Sequence, residues 1–293
     1  MADSYVMTDS ELTDLRREKW RVNGDPVRTL EDARSFIESV GFCLTFPLPT
    51  TVLLPTFIGA WSGSDEELPT QKQAFTDPRA KDATELMVRV LRDKSAFEAN
   101  LFDENNAFLI SGSVFPYFYA LVGERNPRQA PKPGPRSPYS QLACDAYSII
   151  HRKGPISKLK LLEELGKGIS VAALDRALAD LWSKLRITRV DYDEREGASW
   201  DVLQRWAPDV VSEGVNCSVN AALSALLSKY LDCVVAADQQ ELESFFGNFV
   251  ARSRVRESVN ALLAARELSF MLVGHRSLIQ VTQAQPARRS GTR

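Results

Sequence analysis

At 293 residues, 44% apolar and 25% charged, the chain has the makeup of a globular protein, with room for one large domain or two to three small ones. A net charge of −2 argues against a highly basic nucleic-acid coater, and no run approaches the ~18 consecutive apolar residues of a membrane span. Asp3, Asp9, Glu11 and Asp14 depart from the basic-then-apolar pattern of a signal peptide, so a cytoplasmic location is expected.

Along the chain, the first expected helix is Thr29–Val40, capped by Thr29 and closed by Gly41. A second spans Asp82–Lys94. Between them, residues 45–81 form a long segment rich in Pro, Thr and Gly that holds Phe57 and Trp61. Structureless loops of this length are uncommon unless functional. The alternative is that the segment packs onto the next unit. Ala96–Phe102 and Ala107–Ser113 read as strands around the turn Asp103-Glu104-Asn105-Asn106. Tyr117, Phe118 and Tyr119 follow Pro116 as a short helix, with their rings expected in the core.

Asn126–Pro138 carries five prolines and one glycine, which makes it a semi-rigid linker. The next unit is the most legible. Pro138–Arg152 is a helix stopped by Gly154-Pro155, and Ile156 gives a short extended step. Ser157 caps a helix through Leu159, Leu162 and Leu165. Ser170 caps a third, with Val171, Leu174, Leu178, Leu181, Trp182 and Leu185 on one face. Ile187–Tyr192 and Ser199–Leu203 are strands joined through residues 193–197. Three helices and a hairpin in this order form a winged helix, a helix-turn-helix variant.

The order returns after Pro208. Val219–Leu231 is helical, Cys233–Ala236 extended, and Gln239–Phe246 and Arg252–Arg266 are helices. Leu268–Val273 and Leu278–Val281 are strands around Gly274-His275-Arg276-Ser277. The expected fold is mainly α with small β-hairpins (α+β), built as three tandem winged-helix domains. These occupy residues 1–125, 138–208 and 209–282, with a basic linker at 126–137 and a disordered tail at 283–293.

Several chemistries lack their residues. The only histidines are His151 and His275, and there is no phosphate-binding glycine motif. Cys43, Cys144, Cys217 and Cys233 form no C-x-x-C pair and sit in apolar runs, so they are expected to be buried thiols. No metal and no cofactor is expected.

The pieces Val40-Gly41-Phe42-Cys43-Leu44-Thr45-Phe46-Pro47, Ala107–Leu121 (AFLISGSVFPYFYAL) and Arg152-Lys153-Gly154-Pro155-Ile156-Ser157 occur in an order and spacing that resemble the AlkZ-type DNA glycosylases, which unhook interstrand crosslinks. The resemblance covers roughly residues 28–281 and implies three tandem winged helices, as in that family. It also implies a Gln-x-Gln or Gln-x-Asp motif ahead of a proline, whose side chains hold the attacking water. With Pro47 as that proline, Leu44 and Phe46 occupy the two polar positions. Neither can orient water or accept a proton, which points to loss of the family's base-excision chemistry. Cys43 and Thr45 lie beside them on the opposite face of a strand, and Thr50 and Thr51 are the next polar candidates.

The expected partner is duplex DNA, damaged or bent, and any interface must be local. Residues 1–124 hold 12 Lys+Arg against 20 Asp+Glu, whereas Arg125–Arg136 is +4 with no acid. Arg252, Arg254 and Arg256 open the helix that enters the major groove in a winged helix. Arg176 and Lys184 occupy the equivalent helix of the middle unit, beside Asp175, Asp180 and an acidic hairpin tip. Arg128, Lys132 and Arg136 of the linker, with Arg125, could converge with Arg152, Lys153, Lys158 and Lys160. The alternative for each group is a solvated basic surface. Trp61 is the candidate wedge between bases. Two other readings remain open: a glycosylase with an altered site, and a protein-interaction module favoured by the acidic first unit.

Overall fold

The computed structural model describes residues 6–48, 52–102 and 107–282. The turn at residues 103–106, Thr50, Thr51 and the tail from residue 283 lie outside them. The fold is α+β, mainly helical with small antiparallel sheets.

Local sequence starts and stops most helices. α1 (Asp9–Lys19) and α2 (Leu30–Val40) open on capping boxes, Thr8 with Glu11 and Thr29 with Asp32. Gly41, at φ +77°, closes α2. β1 (Phe42–Leu44) leads to α3 (Phe57–Ser62), a 3-10 turn at Gln71–Gln73, and α4 (Pro78–Arg92), capped by Asp77 with Pro78 in its first turn. β2 (Ala96–Ala99), β3 (Phe108–Ser111) and α5 (Phe115–Val122) complete the first unit. Its sheet has the order β1-β3-β2, with Leu44 opposite Phe108 and Glu98 opposite Leu109.

The middle unit runs α6 (Gln141–Lys153), β4 (Ile156–Ser157), α7 (Lys158–Leu165), α8 (Val171–Ser183), β5 (Ile187–Asp193) and β6 (Gly197–Val202). Ser140, Ser157 and Ser170 cap its helices, and the sheet order is β4-β6-β5. Val171, expected on the apolar face of its helix, points outward, and so does Leu159. Leu159 and Val171 are 45% and 50% exposed because each lies in the first turn of its helix, and Leu161 and Leu174 fill the core instead.

The short α9 (Leu203–Trp206) and α10 (Pro208–Asn216) precede α11 (Val219–Val234), α12 (Gln239–Phe246), α13 (Arg252–Ala264) and the hairpin β7 (Leu268–Val273) and β8 (Arg276–Val281). Cys233 and Val234 belong to the last turn of α11, where an extended segment was expected. Cys217 is half-buried in the α10–α11 connection, unlike the other three thiols. Among the described residues, no single helix is long and apolar enough to cross a membrane.

Packing crosses the expected unit boundaries. One apolar core joins α2, the first sheet and α5 to α11, α12 and α13. Phe42 of β1 meets Phe118 at 5.1 Å, Phe245 at 5.9 Å and Tyr230 at 6.4 Å. Lys229 of α11 donates to Ser39 O at 2.9 Å, capping the end of α2. α1, whose local signal is the Thr8–Glu11 capping box, packs against the last unit. Its Arg16 donates to Val234 O at 2.8 Å and Ala236 O at 2.7 Å, and Trp20 Nε1 to Cys233 O at 2.9 Å. The middle unit has a core of its own, from Tyr139 to Val202, which Ala107 joins.

α10 lies against α5 so closely that a Cβ at Gly214 would sit 2.7 Å from Tyr119 Cβ and 2.9 Å from Pro116 O. Gly214→Ala is expected to lose about 1–3 kcal/mol by overpacking. Gly134→Ala, with nothing within 4 Å, should shift stability by under about 0.5 kcal/mol. Urea unfolding of the two variants checks the contrast.

Candidate functional site

Leu44 and Phe46 are 3% and 2% exposed. Leu44 pairs with Phe108 in the sheet, and its N–H donates to Pro55 O at 2.9 Å. Phe46 packs with Ile58, Ala74, Ala80 and Ala83. Both positions are core positions. Thr45 is 2% exposed, and its hydroxyl reaches Gln71 Oε1 at 3.4 Å. Cys43 is fully buried, and burial pushes its thiol well above the usual range, so it is no nucleophile at neutral pH.

Trp61 lies in α3, half-buried, where a loop residue was expected. Arg28 stacks over its ring at 4.5 Å and donates to its carbonyl. The segment 45–81 also folds largely on the first unit, through the cluster around Phe46. It touches the middle unit at Phe75, whose ring stacks on Tyr192 at 4.2 Å.

The three arginines of α13 separate into two kinds. Arg252 and Arg254 are exposed and form no ion pair among the described residues. Arg256 is held by Glu243, at 3.0 and 2.8 Å. That pairing, with a further hydrogen bond from Gln239, lowers the Glu243 carboxyl to about 2. Ala251 gives α13 no side-chain cap, so its first N–H groups stay open beside Arg252.

The basic group of the middle unit is mostly neutralised. Lys153 pairs with Glu164 at 2.5 Å, Lys158 with Asp175 at 2.5 Å and Lys160 with Glu196 at 2.9 Å. Arg152, Arg176 and Lys184 are exposed and form no ion pair among the described residues, as are Arg128, Lys132 and Arg136 of the linker. Arg125 turns away from them and donates to Val215 O at 2.7 Å and Cys217 O at 3.0 Å, at the end of α10. Among the described residues, no group of three His, Cys, Asp or Glu side chains could hold a metal ion.

The model of the AlkZ-related family matches residues 27–247. The chain belongs to the AlkZ-related family. Among solved structures, it is similar to the Streptomyces sahachiroi DNA glycosylase AlkZ, with a TM-score of 0.61 at 12% identity. The likeness covers 95% of this chain and 71% of that one. No curated protein matches it by sequence.

Within this AlkZ-related chain, the acidic hairpin of the middle unit lies against α4. Glu194 pairs with Lys81 at 3.5 Å and Asp191 with Arg92 at 2.6 Å, both cations lying on α4. Beneath them sits a buried carboxylate the sequence reading did not single out. Glu98 of β2 is 1% exposed and accepts from Arg189 of β5 at 2.9 Å. Its backbone carbonyl accepts from Trp182 Nε1 at 3.0 Å and Thr188 Oγ1 at 3.3 Å. Arg189 stacks over Trp182 at 4.8 Å and Trp200 at 5.5 Å. The one available signal was an acid at an inward strand position, Ala96-Phe97-Glu98-Ala99.

Burial raises the Glu98 carboxyl above its ordinary value, with the Arg189 charge opposing. The folded protein therefore holds that proton more tightly than the unfolded chain. Stability from this group is complete below the ordinary Glu range of about 4.3 and is lost as pH rises through the raised value. In Glu98→Gln that loss should vanish, so the unfolding free energy of the native chain falls relative to the variant as pH rises above the ordinary Glu range. Arg189→Met leaves the carboxylate buried without a partner and is expected to lose about 3–5 kcal/mol at neutral pH. Urea titrations at several pH values read both effects.

Proposed function

We propose that this chain is a DNA-binding member of the AlkZ-related family that engages duplex DNA, damaged or bent, and lacks the Gln-x-Gln/Asp hydrolysis. The observation that carries the binding is the start of α13. Arg252 and Arg254 project unpaired beside an uncapped helix N-terminus, a combination suited to phosphate oxygens. This helix precedes the β7–β8 hairpin, which is the place of a groove-entering helix in a winged helix. Arg152, Arg176, Lys184, Arg128, Lys132 and Arg136 are candidates for further phosphate contacts. The salt bridges of Lys153, Lys158 and Lys160 make those three poorer ones. Trp61, covered by Arg28, is a weak wedge.

Loss of hydrolysis is inferred from the apolar burial of Leu44 and Phe46, which leaves no side chain there to hold water. Three described thiols are buried and unpaired, which suits a reducing cytoplasm.

Duplex binding followed by mobility shift across a salt series tests the first claim. Arg252→Ala/Arg254→Ala should weaken binding and flatten the slope of log K against log salt by about 2. Glu243→Gln releases Arg256 and should tighten binding by about two- to fivefold. An unchanged slope in the double variant removes α13 from the interface. On alkylated duplex, alkali should give no strand breaks above the blank; breaks would restore a glycosylase with an altered site.

A further inference from the structure

Duplex binding leaves the acidic tip of the β5–β6 hairpin without a role, since acids repel phosphate. The way this tip is aimed supplies one. In the hairpin, Arg189 pairs with Trp200 and Asp191 with Ser199, so Val190 is an extra residue in β5, a bulge. A bulge bends its strand and re-aims the residues beyond it. On one side of Val190, Arg189 is committed to the buried Glu98. On the other, the strand turns its acids onto α4.

The face of α4 that they meet is basic. Lys81, Arg89 and Arg92 line one cleft of about 390 Å³, opposite Asp193 and Glu194 of the hairpin. Arg92 donates through Nε and Nη2 to Asp191 Oδ1, at 3.0 and 2.6 Å. Lys81 reaches Glu194 at 3.5 Å. Arg89 is exposed and forms no ion pair among the described residues. Glu85 is the acid that α4 itself adds to the lining, one charge against three.

These pairs are open to exchange. The side chains of Lys81 and Arg92 are 47% and 57% exposed, and exposed pairs are weak and screened by salt. A nucleic-acid strand presents a run of charged oxygens, to which Arg and Lys bond at least as well as to a carboxylate. Rotation of two long side chains is enough to change partners. The Phe75–Tyr192 stack and the Arg189–Glu98 pair can stay in place.

We propose that this face of α4 is a second contact for the phosphodiester backbone, and that the acidic hairpin is its internal competitor, holding Lys81 and Arg92 until a nucleic acid takes them over. The inference rests on the duplex-binding reading above. The competitor weakens binding and makes it less sensitive to salt, because the carboxylates set free take up cations as the phosphates release theirs.

The test is fluorescence anisotropy of a labelled DNA duplex with the full chain, across a salt series. Asp191→Asn/Glu194→Gln keeps the shape of the hairpin, and the amide oxygen at 191 still accepts from the Tyr192 N–H. This variant should bind about fivefold tighter and steepen the slope of log K against log salt by about 2. Adding Lys81→Gln/Arg92→Gln should cancel both changes. Arg89→Gln alone should weaken binding by the otherwise native chain about twofold. Asp25→Asn/Glu66→Gln removes the same charge from two exposed acids that form no ion pair among the described residues, and should leave the slope unchanged. A hairpin variant that gains no more than this control overturns the proposal, as does a gain that survives the loss of Lys81 and Arg92. The two readings fail separately. A duplex that responds to Arg252→Ala/Arg254→Ala and not to the hairpin variant removes the competitor and keeps α13; a duplex that no variant binds removes both.

Discussion

The rest of this structure depends on an apolar seam between its beginning and its end. β1 is only three residues long, and a strand of that length contributes little by itself. Its Phe42 is fully buried because α5 covers it from one side and α11 and α12 from the other. Full burial of such a ring contributes roughly 1.5–3 kcal/mol, so the cluster of Phe42, Phe118, Tyr230 and Phe245 outweighs any surface ion pair nearby. Leu44 belongs to the same face of the same strand, which is why its position is apolar on structural grounds alone.

The middle unit attaches to this seam by different physics. It has a core of its own, which Ala107 joins, while Leu185 and Leu203 reach into the shared core, and several of its contacts to β2 and α4 are polar or aromatic. The linker is held in the same way. Arg186, 1% exposed on its side chain, binds Glu124 at 2.9 Å and the Asn126 and Gln129 carbonyls, with the Tyr147 ring 5.0 Å away. The proline run is thus anchored at its start, and charge-assisted hydrogen bonds set where the middle unit sits.

What the sequence disclosed follows from the range of each interaction. Caps and turns are local, so Thr29, Gly41, Ser157 and Ser170 mark their helices in the sequence. Helix periodicity found α8 and α12 almost to the residue. The failures are long-range. α1 has only weak amphipathic character, and its partners lie more than two hundred residues away, at Val234 and Ala236. The boundary expected near Ala207-Pro208-Asp209 is the start of α10, where Pro208 takes a place in the first helical turn. For the candidate site, residue type placed Arg252, Arg254 and Arg256 correctly on the surface. It could not show that Glu243, on another helix, occupies Arg256, or that three lysines of the middle unit have partners. Glu98 shows in the sequence only as an acid at an inward strand position, because its partner comes from a different unit.

The largely separate core of the middle unit, lying in sequence between two halves of a shared one, has a consequence for synthesis. A chain emerging from the ribosome presents residues 1–125 before residues 209–282, which carry the helices that cover β1 and α5. The middle unit needs little beyond residues 139–202, so it can finish folding while that earlier apolar face still waits. Order of maturation then differs from order of translation. The first segment is left exposed for the longest time, and it is there that a nascent chain of this protein has most need of a chaperone.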